Sequence, residues 1–248
     1  MKRPVRNAKG RGPAPGAVVV IRPWKRVAGI RILERLDPSG PGFLRLERFR
    51  VKNLHHHGGA SRPYRFEVLH RRGMDAVAIV PFYFDRRTRR LMVICKVGFR
   101  PGLYLRHRLR LPARDRRAYT SVIEAVAGSL EPGDRGAAGI TARARAELIE
   151  ETGMRPIAGR GRDLGAGFFP SHGQSTEKVH LRSFQVDPRE AVDPAGDGSV
   201  NEAEAGTIAI EARRIIDMCR AGLIEDPKLE VGVGRLLRLL SPENPRKG

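Results

Sequence analysis

The chain is poor in cysteine, in aromatic residues and in long apolar runs, and each shortage removes a class of protein. Only two cysteines, Cys95 and Cys219, occur among its 248 residues. Both stand in apolar segments, so they are expected as reduced core thiols, not as a disulfide framework or a zinc site. Aromatic residues make up 6% of the chain, too few to interleave its basic residues as a nucleic-acid surface would. No apolar run approaches the roughly 20 residues that span a bilayer. The opening Met1-Lys-Arg-Pro-Val-Arg6 lacks the apolar core of a secretory signal, which makes a cytoplasmic protein the expectation.

Acidic residues are scarce as well, 27 against 47 Lys and Arg, for a formal charge of +20. A field of that sign draws phosphate-bearing ligands. The basic residues are scattered through 86–90, 106–117, 143–145, 155–162 and 213–214, with arginine far ahead of lysine. That distribution reads mainly as solvated surface, and nucleic acid is not favoured as the partner. At 40% hydrophobic content the chain can bury a sizeable core, as one large domain or one domain with a smaller appendage.

Periodicity divides it further. Residues 1–16 are rich in Lys, Arg, Gly and Pro without a repeat and are expected as a disordered basic arm. Strand patterns follow at 17–22, 43–51 and 64–69, the last two joined by a loop holding His55, His56 and His57. Consecutive histidines converge on a metal only in a shaped loop, so these read as solvated. The segments 75–84 and 91–97 are apolar enough for a buried hairpin leading to Arg100. Residues 101–120 read as a basic loop. After a helix come strands near Phe168 and at 179–186, an acidic linker over 187–205, a strand at 207–210, and helices at 213–220 and 227–240, Pro227 suiting a first helical turn.

The central helix carries the chemistry. Glu150 and Glu151 lie three and four positions after Glu147, so the three project together from the helix and repel one another. Two of them fall in the last turn before Gly153, the expected left-handed cap, where the helix dipole already disfavours negative charge. A hard divalent cation would relieve both penalties, and such ions are commonly held by a few carboxylates plus substrate phosphates.

The stretch Gly128-Ser-Leu-Glu-Pro-Gly-Asp134, followed by Glu147-Leu-Ile-Glu-Glu-Thr-Gly-Met154, resembles the signature of the Nudix hydrolase family. Gly128, Glu147, Leu148, Glu150, Glu151, Gly153 and Met154 match it. Asp134 stands in place of the first Glu, Ala146 in place of the arginine that orients the glutamates, and the gap between them is eleven residues instead of seven. Four extra residues approximate one helical turn. Gly136 and Gly139 would each cost about 1 kcal/mol inside a helix, so a longer loop with the helix over 141–152 is the reading preferred to an extended helix. Arg143, on the face of Glu147, is the nearest substitute for the missing arginine.

Further segments resemble the ADP-ribose pyrophosphatase subfamily: Glu124-Ala-Val-Ala-Gly128 before the box, Phe168 to Glu177 after it, Asn201 to Glu204, and Ile224 to Lys228. The resemblance covers roughly residues 43–240. It implies an α/β/α sandwich around a mixed sheet over 73–242, a small antiparallel β region over 17–72 that serves dimerisation, and a tail over 243–248. It implies Mg²⁺, with Mn²⁺ as an alternative, held by Glu147, Glu150, Glu151 and the Ala127 carbonyl. Glu177 would act on the attacking water together with Glu150 and Glu147, and Arg100, Glu124 and Gly128 would bind substrate. The implied substrate is a nucleoside diphosphate linked to a second moiety, ADP-ribose or a related sugar, cleaved to a nucleoside monophosphate and a sugar phosphate by a homodimer. A hydrolytically weakened nucleotide sensor and an RNA-associated Nudix hydrolase are the alternatives.

Overall fold

The computed structural model describes residues 18–37, 42–71, 73–157, 161–196 and 198–241. The arm expected over 1–16 and the tail over 243–248 lie outside them. An edge strand, β1 (Val19–Arg22), is followed by a hairpin of β2 (Leu44–Val51) and β3 (Tyr64–Arg71). The apolar runs then form β4 (Ala76–Phe84) and β5 (Leu91–Gly98), turned at Asp85, whose carboxylate accepts the Thr88 amide at 2.7 Å. Residues expected as a basic loop hold one helical turn, α1 (Pro101–Tyr104), and a 3-10 turn over Leu105–Arg108.

Two short strands, β6 (Val122–Glu124) and β7 (Val126–Ser129), precede the long helix α2 (Gly136–Thr152). The second half supplies β8 (Arg162–Asp163), β9 (Val179–Gln185), the short α3 (Val200–Ala203), β10 (Gly206–Glu211), α4 (Ala212–Arg220) and α5 (Pro227–Leu240). Asp226 caps α5 by accepting the Lys228 amide, and Pro227 at the first helical position needs no donor partner.

Eight strands make one mixed sheet in the order β1-β10-β5-β4-β9-β8, with β6 paired to β5 and β7 to β4. β4 lies parallel to β9 and antiparallel to β5 and β7. Alternation along the strands builds an apolar cluster on each face. Val80, Cys95 and Ile210 pack with Leu229, Val233 and Leu236 of α5, while Ile79, Ile94 and Val126 pack with Ala144 and Leu148 of α2. Helices therefore cover both faces, in three layers. Each such fully buried Leu or Ile contributes roughly 1.5–3 kcal/mol. The hairpin of β2 and β3 forms a separate small antiparallel sheet. No helix among the described residues is long and apolar enough to cross a membrane.

Two expectations need correction. The helix begins at Gly136, not near residue 141; Gly136 opens it with a left-handed φ of 65°, Gly139 lies within it, and the extra residues add a turn at its N-terminal end. Gly139 passes so close to the preceding turn that an added Cβ would stand 2.6 Å from the Asp134 carbonyl carbon; packing against that turn overrides glycine's weak helix propensity. The strand expected near Phe168 reduces to one bridge with Val179, because Gly167 and Pro170 on either side interrupt the ladder.

Candidate active site

Glu151 continues the buried stripe that Ala144 and Leu148 draw along α2, so the packing that seats the helix also carries a carboxylate to the sheet. Gly153 stops the helix in the left-handed conformation, φ 69°, and its amide bonds the Ile149 carbonyl at 2.8 Å. The chain returning from β9 crosses this end, the Val192 amide reaching the Gly153 carbonyl and the Gly196 amide the Glu150 carbonyl, both at 3.1 Å. These bonds satisfy carbonyls that a helix end leaves open. Within the N-terminal half, Arg182 of β9 donates to Thr141 Oγ1 at 2.9 Å. The helix is thus tied to the sheet there as well as at its C-terminal end.

Glu147 lies against the backbone of β7, where a Cβ on Gly128 would come 1.9 Å from its carboxyl carbon. Only glycine lets the carboxylate lie there. Burial, reinforced by Glu150, pushes the Glu147 carboxyl up to about 7, and Arg143 only partly offsets this. Glu151 is also raised to about 7 by burial, against the pull of Lys96. Its Oε2 accepts the Ala127 amide at 3.3 Å. The N–H of Ala127 is thus the group observed at this carboxylate, where the carbonyl is the metal ligand that the resemblance implies.

Lys96, whose side chain is only 7% exposed, forms a hydrogen-bonded ion pair with Glu151, and Glu202 stands 3.8 Å from the same ammonium. Neither Lys96 nor Glu202 is singled out by motif reasoning. A lysine inside the apolar run from Met92 to Val97 is the signal that could have found the first, since lysine is rarely buried without a partner. Glu202 belongs to the acidic stretch of the resemblance, but its partner is distant in sequence. Lys96, Glu150, Glu151, Asp193, Ser199 and Glu202 line a cavity of about 320 Å³. Glu147 does not line it.

Arg100 and Glu124, proposed separately as substrate ligands, are bound to each other, Nη2 to Oε1 at 2.7 Å and Nε to both carboxylate oxygens at 2.9 and 3.1 Å. Burial disfavours the Arg100 charge, but Glu124, with Glu151 and Asp226 behind it, more than compensates and raises its pKa. Glu124 is the cross-strand neighbour of Lys96, which sets this pair beside the carboxylates of α2. Asp226 locks the region from the far side, accepting the Ala125 amide at 2.7 Å. Glu124 and Asp226 also line a second cavity of about 340 Å³, with Arg106, Arg117 and Tyr119 from the insert over 101–120.

Glu177 is held by Arg71 at 2.9 Å. The same guanidinium donates to Ser129 Oγ and to the Asp75 carbonyl, each at 2.6 Å, which ties the loop bearing Glu177 to the strand bearing Gly128. An added Cβ on Gly173, in that loop, meets nothing within 4 Å. Arg143 is only partly the substitute expected for the missing arginine. It bonds Asp134 at 2.8 Å and Glu131 at 3.0 Å, and stays 3.9 Å from Glu147. The three histidines are exposed on their loop, and Cys95 and Cys219 are free thiols.

Among the described residues no three His, Cys, Asp or Glu side chains converge as a ready-made metal cage. The donors nonetheless fit a hard cation that takes only one or two protein carboxylates and leaves its other positions to water and substrate oxygen. Glu151 is buried and Glu147 partly so, and the loss of solvent, which Lys96 and Arg143 do not fully offset, raises both carboxyls and leaves charge that a cation would stabilise. In comparisons with known proteins, no family model matches the chain and no curated sequence matches it.

Proposed function

We propose that the chain is a metal-dependent hydrolase of the Nudix type that cleaves the diphosphate of a nucleoside diphosphate linked to a second moiety, ADP-ribose or a related sugar. One observation carries the reading: the glutamates of α2 are tucked against Ala127 and Gly128 of β7, with the Arg100–Glu124 pair at the same end of the sheet. Those residues are dispersed over more than fifty positions of sequence, and the resemblance assigns all of them to one site.

Mg²⁺ or Mn²⁺, held by Glu151 with Glu150 or Glu147, would neutralise the diphosphate and polarise the phosphorus under attack. The protein's own groups do the rest. Arg100 offers a guanidinium to a phosphate or ribose oxygen, and Glu124 keeps it extended. Glu177 accepts a proton from the attacking water as the new phosphorus–oxygen bond forms, and the bridging oxygen departs with the other phosphate. The proton on Glu177 then passes to solvent. Glu150 and Glu147, the latter once its proton has left, would complete the acidic wall around the ion.

The test is a panel of nucleoside diphosphate compounds offered with Mg²⁺ and with Mn²⁺. Release of AMP from ADP-ribose, abolished in Glu151→Gln, supports this reading. A second reading is favoured by the ion pairs already made by Glu151 and Glu177, and by alanine at position 146: a nucleotide sensor that binds without turnover. Intact nucleotide binding with no hydrolysis of any compound would decide for it. The RNA-associated alternative rests only on the arm outside the described residues and on the basic surface. RNA binding that survives above physiological salt and vanishes on deleting residues 1–16 would favour it.

A further inference from the structure

Lys96 is the one charged residue in a strand otherwise apolar from Met92 to Val97, and its side chain is turned onto the carboxylates of α2 and α3. A buried ammonium is strongly unfavourable unless partnered, and two partners are present. Glu151 holds it in a hydrogen-bonded ion pair, and Glu202 stands 3.8 Å away; both line the same cavity. A carboxylate cannot give its oxygens fully to an ammonium and to a divalent ion at once, and the two cations repel at this range. Whatever cation enters at Glu151 therefore meets Lys96 first.

We propose that Lys96 is a positioning residue that stands in for the divalent cation at Glu151 while the site is free of metal, and moves to Glu202 when metal binds. The inference rests on the metal-dependent reading above. It assigns Lys96 and Glu202 a joint role in setting metal affinity. The pair also answers a need left by Ala146, because Arg143 is committed to Asp134 and Glu131. With one oxygen on Lys96 and the other on the Ala127 amide, Glu151 is held in place before any ion arrives.

The test is Mn²⁺ binding to the full chain without nucleotide, followed by the paramagnetic signal of the free ion and by calorimetry. Lys96→Met removes the resident charge and is expected to tighten Mn²⁺ binding about tenfold. Glu202→Gln removes the second seat and is expected to weaken it about threefold or more. Should Lys96→Met fail to fold, Glu202→Gln, at a partly exposed position, still decides the matter. Unchanged or weaker binding in Lys96→Met, or unchanged or tighter binding in Glu202→Gln, overturns the proposal. Equal binding in all three proteins sinks the role of Lys96 and leaves the hydrolase reading standing. Absence of Mn²⁺ binding in all three overturns the proposal, and the hydrolase reading is then decided by the nucleoside diphosphate panel, in which substrate oxygens complete the ion's ligands.

Discussion

The Arg71 guanidinium, at the end of β3, binds Glu177 Oε1 at 2.9 Å although 106 residues separate them. With its further bonds to Ser129 and the Asp75 carbonyl, Arg71 joins the N-terminal hairpin, the loop before β9 and the strand beneath Glu147. Its side chain is only 10% exposed. The carboxylate proposed to take the water's proton is thus oriented by the hairpin, not by its own loop alone.

Glu177→Gln keeps the hydrogen bond to Arg71 but cannot accept a proton. We expect kcat to fall by about 10²- to 10⁴-fold with KM little changed. Arg71→Ala should lower kcat as well, and should also cost about 2 kcal/mol in urea unfolding, because three bonds from a charged donor to part-buried partners are lost. Full activity in Glu177→Gln would remove it from the mechanism.

The two raised carboxylates give the metal-free protein a defined pH dependence. Glu147 and Glu151 move from 4.5 to about 7 on folding. Between those values the folded chain holds protons that the unfolded chain has lost, so this contribution to stability is complete below 4.5 and disappears as pH rises through about 7. Asp187, lowered to about 2 by Arg189, acts only in far more acidic solution. Melting of the chelator-treated protein should therefore shift to higher temperature as pH falls from about 8 to about 6. Stabilisation by added Mg²⁺ should run the opposite way, growing as those protons leave. A melting temperature that is flat over this range in both conditions would contradict the assignment.

The exposed apolar residues of the hairpin point to a partner surface. Phe49 and Phe66 are cross-strand partners that stack at 6.4 Å, and with Tyr64 on the same face they remain more than 40% exposed, while the exposed Leu44 and Leu46 lie on the other face. Exposed aromatic surface gathered on one face of a small sheet usually marks an interface. We expect a dimer in sedimentation, and a monomer when Phe49 and Phe66 are both changed to Asp. A wild-type monomer at all accessible concentrations would remove the hairpin as a dimerisation element.

Much of the frame is legible in the sequence where local and tertiary demands agree. The bounds of α5 follow from Asp226, Pro227 and an apolar stripe, and β4 and β5 follow from apolar runs that only Lys96 interrupts with a charge. Gly153 sits where a left-handed cap is required. The pairings of Lys96 with Glu151 and Arg71 with Glu177 are not legible, because they join residues 55 and 106 positions apart and neither motif nor periodicity specifies a partner. The early start of α2 is missed for a different reason: the close approach of Gly139 to the Asp134 turn is local, but glycine's low helix propensity conceals it.

Two glycines of the signature region should respond to alanine in opposite ways. At Gly128 the added methyl meets the end of a flexible side chain, Glu147, at 1.9 Å, whereas at Gly139 it meets the Asp134 backbone at 2.6 Å. Gly128→Ala can be accommodated by swinging the carboxylate aside, so we expect a folded protein whose urea midpoint is nearly unchanged but whose metal-dependent activity is largely lost. Gly139→Ala lies within a helix, where propensity alone would add about 1 kcal/mol of stability. The backbone clash reverses that sign, and we expect a loss of about 1–3 kcal/mol. A stabilised Gly139→Ala in urea unfolding would mean that the turn at Asp134 yields freely. The stretched part of the signature would then be a loose insertion, not the rigid first turn of the helix that carries Glu147.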